Sequence, residues 1–224
     1  MAVSRDFVFG VDLDGVCGDY TAAFRAVVAE VRGVDLDSLP LDRSWDFSEW
    51  GIGSAEEFDE LHRIAVLEHR IFRDMPAFPG AAEALWRLSD AGVWIRIITH
   101  RLFTNWGHAQ AVADTVAWLD TNGIPYRDIC FLGAKPEVEA HCYVDDASHN
   151  VVALREAGNH VIVFDAPYNR DLPGPRASTW AEVEQLVIAR AAELGHHLEL
   201  PPPGHDAGPQ RLERRLGRQH AALA

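Results

Sequence analysis

Five short runs of apolar, β-branched residues, at 6–12, 93–99, 128–132, 141–145 and 160–165, are separated by stretches whose apolar positions recur at helical spacing. Strands alternating with helices of ten or more residues predict βαβ units and a parallel sheet covered on both faces. The helix boundaries agree. Pro79-Gly80 leads into Ala81–Asp90, which stops at Gly92; Ala109–Asp120 stops at Asn122-Gly123; Ser148–Glu156 stops at Gly158. Thr179-Trp180-Ala181-Glu182 has the spacing of a capping box and opens the last core helix.

The interval between the first and second strands breaks this rhythm. From Cys17 to Met75 there is no strand pattern but two helical ones, Tyr20–Val31 and Ser54–Phe72, the second opened by Ser54-Ala55-Glu56-Glu57. A crossover needs only a dozen or so residues, so this segment reads as an insertion, a small helical cap over the sheet edge. Its loop carries Trp45, Phe47 and Trp50 among charged residues. These aromatics either form the insertion's own core or turn one or two faces toward a flat ligand group. From His196 onward the chain turns Pro- and Arg-rich and reads as a flexible or weakly helical tail. The expected division is therefore a core of residues 1–17 and 76–195, a cap of 18–75, and a tail of 196–224.

Composition narrows the class. With 224 residues, 48% apolar and 24% charged, the chain suits one globular domain plus an insertion. A net charge of -14 argues against a groove for a nucleic-acid polymer, which needs clustered Lys and Arg, yet a bound cation can reverse the local field for a small anion. Cys17, Cys130 and Cys142 form no C-x-x-C pair and read as reduced thiols. No export leader and no run of membrane-spanning length is seen, so a cytoplasmic protein without a membrane partner is expected.

Candidate chemistry lies where each strand ends. The first strand runs out in Asp12-Leu13-Asp14-Gly15, and alternation along a strand points both carboxylates the same way at the sheet edge where α/β sheets bind ligands. Alone, this is also an ordinary acidic strand exit. The second strand ends in Thr99-His100-Arg101, a hydroxyl and successive N–H groups able to hold phosphate oxygens. Lys135 follows the third strand, and the fourth ends in Asp145-Asp146, an adjacent acid pair that is costly unless something positive lies near, Mg²⁺ being the obvious choice. In this order, each at a carboxyl end, the set suits phosphoryl transfer, with one carboxylate attacking phosphorus and another carrying the proton.

The set Asp-x-Asp, Thr, Lys, Asp-Asp resembles the haloacid dehalogenase superfamily of aspartyl phosphatases. Within it the chain is most similar to the 5'(3')-deoxyribonucleotidase family from about Asp6 to Leu186. Asp12-Leu13-Asp14-Gly15-Val16-Cys17-Gly18-Asp19-Tyr20 matches the opening pattern. So do Pro79-Gly80-Ala81-Ala82-Glu83-Ala84, Lys135-Pro136-Glu137-Val138 with Tyr143-Val144-Asp145-Asp146, and Pro167-Tyr168-Asn169-Arg170 with Ser178-Thr179-Trp180. The resemblance implies an α/β Rossmannoid three-layer fold with a C1 cap after the first strand, and a Mg²⁺-dependent hydrolase of nucleoside monophosphates. By the same resemblance Asp12 is the nucleophile and a metal ligand; Asp14 is general acid then base and gives its backbone carbonyl to the metal. Asp146 is the remaining ligand, with Asp145 behind it. Thr99, His100 and Lys135 hold the phosphate, and Tyr20, Trp45 and Phe47 meet the nucleobase. The chain departs from the pattern at Leu67, where relatives place an aromatic, and at Gly133, where some place arginine. Those departures bear on base and sugar preference.

On physical grounds, protonation of Asp14 would be favoured by a neighbouring carboxylate, and a closing cap would exclude water. A homodimer is compatible with the chain. Two other readings are open: a phosphatase for another small metabolite, and a phospho-accepting module of the receiver type. In receiver modules the acid pair comes with the first strand and the lysine last, whereas here Asp145-Asp146 follow Lys135.

Overall fold

A computed structural model describes residues 7–102 and 106–202. The six strands are β1 (Val8–Val11), β2 (Trp94–Thr99), β3 (Asp128–Phe131), β4 (Cys142–Asp145), β5 (Val161–Phe164) and the two-residue β6 (Arg176–Ala177). All pair in parallel, in the order β3-β2-β1-β4-β5-β6, so β1 is central and its neighbours are β2 and β4. The five sequence-predicted strands are all present. The sixth, too short for any alternation, leaves no periodic signal.

The α-helices are α1 (Tyr20–Arg32), α2 (Ala55–Leu67), α3 (Ile71–Asp74), α4 (Ala81–Asp90), α5 (His108–Thr121), α6 (Ser148–Glu156) and α7 (Trp180–Glu193). Alternation along the strands separates two layers of core. Ile95, Ile97, Cys142, Val144, Ile162 and Phe164 bury against Leu85 and Leu88 of α4, Trp118 of α5 and Val183 and Val187 of α7. The intervening Ile98, Tyr143, Val161 and Val163 bury against Val151 and Leu154 of α6. Both faces of the sheet are thus covered, as runs of Val and Ile with few polar positions require.

The insertion leaves and re-enters the core side by side. Phe78 N–H donates to the Cys17 carbonyl and Asp19 N–H to that of Pro76, each at 2.8 Å, with an antiparallel bridge between Gly18 and Ala77. The pattern read as one helix over 54–72 is two helices with a break. Arg70 adopts φ 54, and its guanidinium forms a bidentate pair with buried Asp114 of α5, its Nε 2.6 Å from Oδ2. Gln110 meanwhile donates to the carbonyls of Val66 and Leu67. Tertiary bonding to α5 overrides a periodicity that continues through the break. Helix α1 is capped at its start by Asp19, which accepts from Ala22 N–H, and at its end by left-handed Gly33.

Residues 196–202 do not begin a detached tail. Leu198 and Leu200 lie against the main apolar cluster, and the His196 ring meets Phe7 and His141 edge-on. The rest of the segment read as a tail, 203–224, lies outside the described residues. Among the described residues, no helix is long and apolar enough to cross a membrane.

Candidate active site

The ladder between β1 and β4 pairs Val11 with Val144, and Asp12 N–H continues it by donating to the Val144 carbonyl at 3.2 Å. This register sets Asp12 beside Asp145 at the carboxyl rim of the sheet. Lys135 enters from a 3₁₀ turn, Lys135–Glu137, after β3. Its Nζ lies 2.6 Å from Asp12 Oδ1 and 2.6 Å from Asp145 Oδ2, with the residue only 2% exposed. Asp145 is held further by Ala147 N–H at 3.0 Å and Asn150 Nδ2 at 3.3 Å. Asp146 accepts from the Tyr168 hydroxyl and overlies Gly15, where an added Cβ would stand 2.1 Å from Asp146 Oδ2. Only glycine at position 15, at φ 86, lets the two loops approach this closely.

One carboxylate oxygen from each of Asp12, Asp145 and Asp146 lies within 4.8 Å of the others, and all three residues are buried. Three acids against one ammonium leave the cluster short of positive charge. Burial pushes the Asp12 carboxyl well up, and Asp145 and Asp146 add to the rise against the pull of Lys135. Burial, then Asp145, lifts Asp146 to about 7. Lys135 is driven up by Asp12 and Asp145 although burial alone would lower it. Hard oxygen donors with excess negative charge fit a divalent cation of the magnesium kind.

Asp14 stands apart from this triad. Arg101 Nε reaches its Oδ2 at 2.9 Å and Arg101 Nη2 its Oδ1 at 2.7 Å, a bidentate pair. The sequence argument set a carboxylate beside Asp14; its immediate partner is this guanidinium. Arg101 is buried, with its guanidinium 4.3 Å above the Phe72 ring and Nη1 bonded to Thr115 Oγ1 at 3.0 Å.

Thr99 is buried and accepts weakly from Arg101 N–H at 3.4 Å; it is not among the residues that line the cavity, whereas His100 is. Burial, helped by Lys135, holds the His100 imidazole low, so it is neutral near pH 7.

These groups floor a cavity of about 650 Å³ whose roof is the insertion. Tyr20 Oη lies 2.7 Å from His62 Nδ1, and the His62 ring stacks on Phe58 at 5.5 Å. Burial drops His62 to about 4. Phe47 is 5% exposed and belongs to the insertion's own core with Phe24 and Trp50, yet one side of it lines the cavity. Trp45 is half-exposed at the rim, edge-on to His149 and Tyr168. Trp50 is buried and does not line the cavity, its Nε1 donating to the Pro40 carbonyl. Leu67 does not line the cavity; its Cδ2 packs toward Gly107.

Sequence reasoning gave no side-chain role to Arg43, Phe58, His62, Arg101, His149 or Tyr168, all of which line the cavity, although Arg101 and Tyr168 stand in stretches it singled out. Phe58 and His62 are four apart on α2, a same-face spacing that marks them as a pair. Arg101 follows the Thr99-His100 strand end directly. Arg43 and His149 carry no comparable signal.

The comparisons with known proteins agree with this geometry. The family described as 5' nucleotidase, deoxy (pyrimidine), cytosolic type C protein matches residues 6–193. A protein of Chlorobaculum tepidum, provisionally named 5'(3')-deoxyribonucleotidase, is 46% identical over 185 residues, covering 83% of this chain and 92% of its own. One from Bordetella pertussis with the same provisional name is 27% identical over 165 residues, covering 72% of this chain and 84% of its own. Among solved structures, a haloacid dehalogenase-like hydrolase from Streptococcus pneumoniae superposes with TM-score 0.54 at 15% identity, over 82% of this chain and 99% of that one, a likeness of fold. With an acid triad at the rim of a parallel sheet and a match over nearly the whole described length, the chain belongs to the cytosolic type C deoxynucleotidase family of the haloacid dehalogenase superfamily and is a phosphoric monoester hydrolase.

Proposed function

We propose that the chain hydrolyses deoxyribonucleoside monophosphates, with Mg²⁺ at the acid triad and Asp12 as the attacking group. The observation that carries this reading is the convergence of Asp12, Asp145, Asp146 and Lys135 under an aromatic roof. A Mg²⁺ held by Asp12 and Asp146 and by the Asp14 backbone carbonyl would neutralise the charge gathered between an anionic nucleophile and a dianionic ester.

The chain's own groups then divide the work. An Asp12 oxygen bonds to phosphorus as the ester P–O bond breaks, and the leaving alkoxide takes a proton from Asp14. Water next attacks phosphorus, breaking the bond to Asp12 and giving its proton to Asp14. In the arrangement seen, both Asp14 oxygens accept from Arg101, whereas the chemistry asks Asp14 first to give a proton and then to take one. Donating one requires that this pair open. Lys135, already bridging two carboxylates, fixes the Asp12 rotamer and offers its charge to the phosphate, with His100 beside it. Thr99 supports the turn from behind the cavity wall. Tyr20, Phe47, Phe58 and His62 supply the flat apolar surface that a base can stack on, and Trp45 guards the rim.

A panel of phosphomonoesters assayed with Mg²⁺ tests the substrate class. Turnover of deoxynucleotides well above sugar phosphates is expected; the reverse order would leave a phosphatase of another small metabolite.

A further inference from the structure

Residues 167–170 join the two halves of the site. Pro167–Asn169 form a 3₁₀ turn after β5, anchored to the core through Asn169, whose Nδ2 donates to the carbonyls of Asp146 at 2.7 Å and Phe164 at 2.8 Å. The Tyr168 hydroxyl donates to Asp146 Oδ2, so one oxygen of that carboxylate is committed and its rotamer is set. The Tyr168 ring is meanwhile gripped by the insertion. Arg43 Cζ lies 4.6 Å from its centre on one side and 3.7 Å from that of Phe47 on the other, and Trp45 meets it edge-on at 5.2 Å. Arg43 is itself fastened inside the insertion, to Thr21 Oγ1 and to the Ser44 carbonyl, both at 2.8 Å. One ring therefore touches the roof through Arg43 and Trp45 and the acid triad through its hydroxyl.

We infer that Tyr168 is a positioning residue that aims Asp146 at the cation, and that the seating of the insertion on its ring sets how well it does so. A hydroxyl that orients a ligating carboxylate typically changes metal affinity by about ten- to a hundredfold when removed. The contact through Arg43 and Trp45 makes that orientation depend on where the insertion sits, so a closed roof and a well-formed cation site favour each other, as linkage requires. The exposed pair Arg170 to Asp42 at 3.1 Å adds little to this seating.

The test is calorimetric titration of the substrate-free protein with Mg²⁺, which reads binding without turnover. The inference rests on the cation site proposed above, and a wild-type protein that takes up no Mg²⁺ would remove both. With wild type binding, Tyr168→Phe keeps the ring beside Arg43 and Trp45 but is expected to bind Mg²⁺ about ten- to a hundredfold more weakly while still unfolding cooperatively in metal-free buffer. Equal affinity in a folded Tyr168→Phe protein overturns the positioning role alone. Trp45 is half-exposed, so Trp45→Ala preserves the fold and tests the coupling. It should weaken Mg²⁺ binding in the same direction by less, and wild-type affinity in this variant would overturn the link to the insertion.

Discussion

The floor and the roof of the cavity are held together by opposite means. On the floor, Asp12, Asp145, Asp146, Lys135, Asp14 and Arg101 hold one another by charge, and each buried group depends on its partner's sign. The roof contains Tyr20, Phe24, Phe47, Phe58 and His62, whose rings meet at 5.2–6.5 Å. Burial there is favourable in itself, roughly 1.5–3 kcal/mol for each large apolar side chain. A floor of this kind tolerates almost no change of charge, whereas a roof, apart from the Arg43 and Trp45 contacts to Tyr168, can exchange one ring for another and alter chiefly what fits beneath it. On the proposed reading, chemistry belongs to the first and selection chiefly to the second.

The sharpest way to break this division is Asp12→Asn, which removes the attacking oxygen at nearly constant volume. Steady-state assays should show a loss of at least about 10³-fold on every phosphomonoester, with no fall in melting temperature. Next comes Lys135→Met, which leaves Asp12 and Asp145 buried without their shared cation. Chemical denaturation in metal-free buffer should show a loss of about 3–5 kcal/mol, part of which Mg²⁺ restores. A roof variant should behave differently. Phe58→Ala is expected to raise KM for a nucleoside monophosphate about tenfold, from lost stacking of about 1–3 kcal/mol, while leaving turnover of a small ester without a base unchanged.

A further effect concerns pH. His62 titrates at about 4 in the fold against 6.5 when free, so its contribution to stability is complete above 6.5 and is lost as pH falls toward 4. The effect is at most about 3 kcal/mol. His62→Phe should accordingly lose less stability than wild type between pH 7 and pH 4.5 in denaturant titrations.

The floor was far more legible in the sequence than the roof, for a physical reason. Strand ends are reported by an apolar run that stops, and the residue after the stop is forced to the rim, which is where Asp12, His100 and Asp146 stand. Asp14 is legible in the same way but its partner is not. No local pattern says that the Arg101 side chain folds back across 87 positions of sequence to reach it. Roof residues depend on how α2 faces the sheet, and the continuous periodicity from 54 to 72 hid the break at Arg70 that fixes this facing. Trp45 and Phe47 enter as aromatics of one loop and, by the family resemblance, as base contacts. The structure gives them different parts, since Phe47 is tucked under Arg43 while Trp45 reaches across to the core.

Covalent attack by Asp12 is what the account stands on, and it can be seen directly. Protein mixed with substrate and Mg²⁺, quenched during turnover and reduced with borohydride, should yield homoserine at position 12 in peptide mass spectra, because an aspartyl phosphate is reduced where a free carboxylate is not. Reduction at another acid, or none anywhere while phosphate is being released, would contradict it.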